Sequence, residues 1–111
     1  NETWNYSSGT TNLLCGYLLR QQFKTHQEYL DFWFAELIDK IGMHSAIIEP
    51  DLAGSFVGSS YGWATTRDWA KFGLLYLHKG NWNGEQIFNP EWAKYVATPT
   101  NGSKGYYGAH F

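Results

Sequence analysis

The chain has 111 residues, 43% of them hydrophobic and 16% charged, a balance that fits one small globular domain and excludes an intrinsically disordered chain. Its formal net charge of −2 gives no basic surface for nucleic acid or for an anionic membrane. No apolar run approaches the ~18 residues of a membrane-spanning helix, and the single cysteine excludes an internal disulfide.

The first half of the chain predicts two helices. Residues 10–23 carry leucines at i, i+4 spacing, which is typical of a helix with one buried face. Residues 25–28 (Thr-His-Gln-Glu) match a capping box. They begin a second helix with a wide apolar face, which Gly42 ends. Residues 43–55 predict short extended pieces with a turn at Pro50, and residues 58–62 predict a flexible crossing.

The second half predicts two more helices and a hairpin. A capping pattern from Thr65 to Asp68 opens the third helix, which stops at Gly80, and we interpret Asp68 as a structural cap for helix N–H groups. The third helix carries Trp69, Phe72, Gly73, Tyr76 and Leu77 along one stripe.

The hairpin and the last elements follow from turn and cap residues. Residues 81–84 (Asn-Trp-Asn-Gly) have the composition of a hairpin turn. Asn89 followed by Pro90 predicts an N-cap and a short helix over residues 90–97. Residues 106–111 have the pattern of the beginning of a strand. We therefore expect a mostly helical chain.

Tyr6 and Ser8 are the strongest candidates for a functional site. They stand two residues apart on a small-residue turn at the mouth of the first helix. Alternating residues on a short extended turn point the same way. A phenol and a hydroxyl would thus be directed into one cleft.

Three segments, in this order, carry a resemblance to a known family. They are residues 6–14 (Tyr-Ser-Ser-Gly-Thr-Thr-Asn-Leu-Leu), residues 41–45 (Ile-Gly-Met-His-Ser) and residues 64–73 (Ala-Thr-Thr-Arg-Asp-Trp-Ala-Lys-Phe-Gly). Followed by the 81–84 turn and by residues 87–92 (Ile-Phe-Asn-Pro-Glu-Trp), the chain resembles the central part of the serine β-lactamase-related hydrolases over nearly its whole length. This family includes class C β-lactamases, D-alanyl-D-alanine carboxypeptidases, esterases and 6-aminohexanoate-dimer hydrolases. The Tyr-x-Ser form is similar to the esterase and aminohexanoate-dimer branch.

The resemblance implies a fold and an activity. The fold would be an α/β two-part serine β-lactamase/DD-peptidase-like fold, in which this chain supplies most of a helical part and the start of a sheet strand. The activity would be hydrolysis of an amide or ester bond in a small molecule through an acyl-enzyme, without metal or cofactor. By match of motif, Tyr6 would handle the proton of the nucleophile and Ser8 would hydrogen-bond the substrate or the catalytic lysine.

The chain departs from the family pattern in one large respect. It contains no Ser-x-x-Lys, the motif that carries the nucleophile, and no Lys-Thr-Gly motif. We therefore expect an internal fragment of a longer enzyme, and we expect that fragment to be inactive on its own.

A different serine-hydrolase pattern occurs at residues 58–62. Gly-Ser-Ser-Tyr-Gly formally matches the Gly-x-Ser-x-Gly nucleophile elbow around Ser60, with Asp68, His78 and His110 downstream. An elbow needs a buried strand directly before the serine and a helix directly after it, and the pattern here favours a plain glycine loop.

The four histidines have no metal-ligand spacing.

Two other classes of function stay open. The chain is 19% aromatic with six tryptophans. Trp63, Trp82 and Trp92 would serve as platforms in a non-catalytic module that binds a saccharide or a peptide. Such modules are usually built of strands, and this pattern is mostly helical. The third class is a purely structural helical domain.

Overall fold

The computed structural model describes residues 3–109. Within them, helix is the dominant secondary structure, with four α-helices and one π-helical turn, and the β structure is two small antiparallel sheets. The mostly helical character predicted from the sequence is confirmed. The described residues form two compact units, residues 7–71 and residues 3–6 with 72–109.

Helix α1 spans Ser8–Gln22, close to the predicted residues 10–23. Ser7 is its N-cap, in an extended conformation, and Ser7 Oγ accepts a hydrogen bond from the Gly9 N–H at 3.2 Å. This bond satisfies one of the backbone donors that a helix start leaves unpaired. Cys15 and Gly16 are the buried residues of this helix.

Helix α2, His26–Trp33, begins with the predicted capping box. Thr25 Oγ1 accepts from the Glu28 N–H at 3.1 Å, and the Glu28 carboxylate accepts from the Thr25 N–H at 3.3 Å. The helix continues into a π-helical turn, Phe34–Ile38, which the sequence does not predict. A π turn adds one residue to the helical path and so rotates the side chains that follow it.

The end of this helical stretch is a Schellman motif around Gly42. The Met43 N–H donates to the Ile38 carbonyl at 3.0 Å, and the Gly42 N–H donates to the Asp39 carbonyl at 3.1 Å. Gly42 has a φ of +70°, which favours glycine because it has no Cβ. Met43 and Ile38 are both buried, as the apolar contact of this motif requires. The prediction that Gly42 ends the helix is confirmed.

The core of the 7–71 unit is centred on Cys15, Tyr29 and Phe56. Tyr29 is fully buried, its ring lies 5.0 Å from the Phe56 ring, and its hydroxyl accepts the Phe56 N–H at 3.3 Å. Burial first, and then the Cys15 thiol, raises the pKa of Tyr29 to about 12. Half-buried apolar side chains surround the three: Leu18, Leu19, Phe23, Leu30, Trp33 and Ile48.

The β structure described for this unit is one short antiparallel pair and an isolated antiparallel bridge between Pro50 and Phe56. Strand β1 (Ile47–Ile48) pairs with strand β2 (Gly62–Trp63), with Ile47 opposite Trp63. The turn predicted at Pro50 is present, since the Asp51 carboxylate accepts from two backbone N–H groups, those of Ala53 and Ser55.

Helix α3, Thr66–Leu77, crosses from one unit into the other. Its last turn closes through Lys79, which has a φ of +53°, and the Gly80 N–H donates to the Leu75 carbonyl at 2.8 Å. Within the predicted stripe, Leu77 is 73% exposed, whereas Leu75, which lies outside that stripe, is fully buried. Asp68, which lies two helical turns before Leu75 on the same face of the helix, is buried as well.

The predicted hairpin is confirmed. Strand β3 (Asn81–Trp82) pairs with strand β4 (Glu85–Gln86) in an antiparallel ribbon. Asn83 and Gly84 join them with φ values of +51° and +93°. Positive φ at both central residues defines the type I′ turn, whose twist matches that of the strands.

Helix α4 spans Pro90–Ala97, as predicted, and Asn89 Oδ1 caps it by accepting the Glu91 N–H at 2.9 Å. The strand predicted over residues 106–111 is wrong for residues 106–109, which form bends. Their backbone groups pair locally: the Tyr107 carbonyl accepts from the Thr100 N–H at 2.7 Å, and the Ala109 N–H donates to Val96. Residues 106–109 therefore do not form a strand. His110 and Phe111, the rest of that prediction, lie outside the described residues.

Candidate functional site

Tyr6 and Ser8, the predicted site residues, stand on either side of the N-cap Ser7. Tyr6 is 61% exposed, and its ring makes an edge-to-face contact with Tyr107, with centroids 5.5 Å apart. Ser8 is the first residue of α1 and is exposed. Its hydroxyl thus lies at the positive end of the helix dipole. Both polar groups are open to a ligand.

The residues of the alternative nucleophile elbow form an ordinary turn. The Ser60 N–H donates to the Val57 carbonyl at 2.9 Å, and Ser60 is exposed. Helix α3 starts only at Thr66, after strand β2, so the strand–serine–helix sequence of an elbow is not formed. Gly58 has a packing role, because a Cβ there would lie 2.5 Å from Cys15 Sγ.

The most connected polar cluster of the described residues joins the 42–45 segment to helix α3. Asp68 Oδ2 accepts from the Ser45 hydroxyl at 2.6 Å and from the Ser45 N–H at 2.9 Å. Asp68 Oδ1 accepts from the Lys71 ammonium at 2.7 Å, and that ammonium also donates to the Gly42 carbonyl. The Thr65 N–H donates to Ser45 Oγ at 2.9 Å.

These bonds keep Asp68 in a structural role but change the partners of its carboxylate, while the Asp68 N–H donates to Thr65 Oγ1 at 3.4 Å. A full capping box would have the Asp68 carboxylate accept the Thr65 N–H, but Ser45 Oγ takes that N–H instead. Asp68 is 6% exposed. The Lys71 ammonium, followed by the Ser45 hydroxyl and N–H, holds its pKa far below the usual range. Asp68 is therefore ionised at neutral pH, where its carboxylate accepts hydrogen bonds from Ser45 and does not take up or release a proton.

Sequence reasoning did not find Ser45 and Lys71 as members of this cluster. Lys71 lies three residues after Asp68 on the same helix, the spacing at which an acid and a base form a pair. The Ser45 contact spans 23 residues of sequence and had no local pattern to reveal it.

The three tryptophans of the alternative binding module occupy different elements. Trp63 in β2 is 56% exposed, and its indole N–H donates to the Glu49 carboxylate at 2.5 Å. Trp92 in α4 is 46% exposed, with its ring 5.3 Å from that of Tyr95. Trp82 in β3 is half-buried.

Residues 3–109 hold no group of three or more His, Cys, Asp or Glu side chains arranged to bind a metal ion. Over the same residues, every helix is too short or too polar to cross a membrane. Comparison with models of known protein families finds no match to the chain, and comparison with curated proteins finds none either.

Proposed function

We propose that these residues form the central part of a serine hydrolase related to the β-lactamases and DD-peptidases, with an α/β two-part fold. The enzyme cleaves an amide or ester bond of a small molecule through an acyl-enzyme. Because the chain holds no Ser-x-x-Lys, the nucleophile lies outside these residues in this proposal.

The main support is that two of the three motif segments contact each other. The sequence presents residues 41–45 and 64–73 as separate elements of the family pattern. Ser45 and Asp68 join them through two hydrogen bonds, of 2.6 and 2.9 Å. In this proposal the two segments form one structural element.

In this proposal, Tyr6 accepts the nucleophile's proton and returns it to the leaving group. Its exposure leaves the phenol accessible to a substrate. Ser8, at the start of α1, contributes a hydrogen bond to the substrate, helped by the positive helix end. Ser60 has no part in the chemistry.

Activated-ester hydrolysis by the protein that contains these residues tests the proposal. Tyr6→Phe keeps the ring and deletes the hydroxyl, and should lower kcat by roughly 10²–10⁴-fold, the effect of losing a positioned acid or base. Ser8→Ala should act mainly on KM. Ser60→Ala, the matched control, should leave both unchanged. Full activity in Tyr6→Phe together with loss in Ser60→Ala would contradict the proposal.

A non-catalytic binding module is the second candidate, and the Trp63 contact favours it. The bond to Glu49 holds the indole while more than half of the side chain stays exposed, as in a platform for stacking. Titration with oligosaccharides, followed by tryptophan fluorescence, tests it. Saturable quenching that Trp63→Ala abolishes would support a binding module, and the absence of quenching would exclude a saccharide ligand.

A further inference from the structure

A groove in the 7–71 unit collects three basic side chains. It runs between the C-terminal half of α1 and the 53–55 loop, encloses about 360 Å³, and is lined by Arg20, Lys24 and His26. Two hydroxyl residues, Thr25 and Ser55, line it as well. A second cavity of about 300 Å³ shares Arg20 and Ser55 with it, so the groove continues along α1.

Two glycines, Gly16 and Gly54, leave room for two of the basic side chains. A Cβ at Gly16 would lie 3.2 Å from Arg20 Nη1, and its three nearest atoms all belong to the guanidinium. Glycine inside a helix costs roughly 1 kcal/mol relative to alanine. Its presence at a buried position of α1 is explained by the guanidinium lying over it.

His26 is held in the same way. A Cβ at Gly54 would lie 2.4 Å from the His26 ring, and Gly54 has a φ of +79°. His26 Nε2 donates to the Ala53 carbonyl at 2.8 Å, because a carbonyl oxygen only accepts. The ring is thereby fixed at the wall of the groove.

Within residues 3–109, neither of the two cations of the groove, Arg20 and Lys24, is paired with a carboxylate. Among the residues that the structure describes, the Arg20 guanidinium and the Lys24 ammonium have no hydrogen bond or ion pair. The nearby carboxylates are occupied by backbone groups. Asp51 accepts from Ala53 and Ser55 in its own turn, and Glu28 accepts from the Lys24 and Thr25 N–H groups.

We propose that this groove binds a small phosphomonoester. A phosphoryl group has three acceptor oxygens and suits donors that converge from several directions, whereas a planar carboxylate offers two oxygens. The Thr25 hydroxyl accepts from Glu28, which leaves its own hydrogen to donate. The volume exceeds that of a phosphate ion, and Leu19 and Phe23 line the remainder, where an apolar group of the ester would lie.

This proposal does not depend on the proposed hydrolase function. It is tested by calorimetric titration of the protein at low ionic strength with phenyl phosphate, inorganic phosphate and benzoate. Phenyl phosphate should bind tightest, because it alone supplies both the phosphoryl group and an apolar ring. Equal affinity for inorganic phosphate would show that the groove binds the bare anion, and would overturn the proposal that its ligand is a phosphomonoester. Equal affinity for benzoate, or no saturable binding of phenyl phosphate, would overturn the phosphoryl assignment.

Two variants separate geometry from charge. Arg20→Gln should weaken phenyl phosphate binding by about tenfold or more, as the loss of a charge-assisted contact does. Gly16→Ala keeps every charge and requires the exposed guanidinium to shift by only a few tenths of an ångström, so it should leave the affinity nearly unchanged. Arg67→Gln removes an exposed cation of the same unit outside the groove and should leave the affinity unchanged. If Arg67→Gln weakens binding as much as Arg20→Gln, the groove is not a site.

Discussion

Replacing Tyr29 by Phe tests how the core of the 7–71 unit is held together. Tyr29 is fully buried and its hydroxyl accepts the buried Phe56 N–H. Without the hydroxyl, that N–H has lost its partner, which costs about 1–3 kcal/mol. The bond is long, at 3.3 Å, so we expect about 1–2 kcal/mol of lost unfolding free energy. For a chain of this size the melting temperature should fall by roughly 4–8 °C per kcal/mol.

Urea unfolding followed by circular dichroism measures this loss. Tyr17→Phe, on the exposed face of α1, is the matched control and should change stability by less than about 0.5 kcal/mol. Equal effects of Tyr29→Phe and Tyr17→Phe would refute the buried hydrogen bond.

Tyr29→Phe should also change how the folding stability depends on pH under alkaline conditions. Burial raises the pKa of Tyr29 to about 12, because the folded chain disfavours the phenolate. The corresponding stability is fully present below the unfolded pKa, about 10, and is lost as the pH rises through about 12. Tyr29→Phe should therefore flatten the loss of stability between pH 10 and 12. A slope identical to that of the parent chain would contradict this assignment.

Three further predictions concern the other elements. Asp68→Asn should destabilise the fold at neutral pH and flatten its acid unfolding curve, because the lowered carboxylate pKa gives stability above about pH 4 that is lost as the pH falls further; an unchanged acid curve would refute this. Leu75→Ala should cost about 2–5 kcal/mol in denaturant unfolding, since Leu75 is fully buried, and Leu77→Ala, at 73% exposure, should cost little. Gly84→Ala should cost about 1 kcal/mol from its φ of +93° alone, because no atom lies within 4 Å of the added methyl; a neutral substitution would argue against the type I′ turn.

The features predictable from the sequence are those fixed by a few adjacent residues. The capping box at Thr25, the N-cap at Asn89, the helix end at Gly42 and the hairpin turn each depend on local backbone conformation and on one or two side-chain bonds. Local patterns of this kind are readable because their energetics do not depend on distant residues.

The errors arose where distant contacts compete with local preference. The Asp68 carboxylate accepts from Ser45, 23 residues away, and not from the Thr65 N–H, which donates to Ser45 Oγ. The predicted strand at residues 106–109 fails because its backbone groups pair with Thr100 and Val96. Neither contact leaves a periodic pattern in the sequence.

The candidate site was only partly accessible to sequence reasoning. The position of Tyr6 and Ser8 at the mouth of α1 followed from the turn composition, and the structure has them on either side of the N-cap. Their proposed roles rest on the resemblance alone. The basic groove could not be predicted, because Gly16 and Gly54 matter only through the side chains that lie over them.

Labelling with a fluorophosphonate probe tests the proposed serine-hydrolase activity. The probe bonds covalently to the activated serine of a serine hydrolase, and peptide mass spectrometry of the protein that contains these residues locates it. The proposed hydrolase should carry one labelled serine in a Ser-x-x-Lys sequence outside residues 1–111, with labelling slowed by Tyr6→Phe and unaffected by Ser60→Ala. Label on Ser60, or no labelled serine at all, would contradict it.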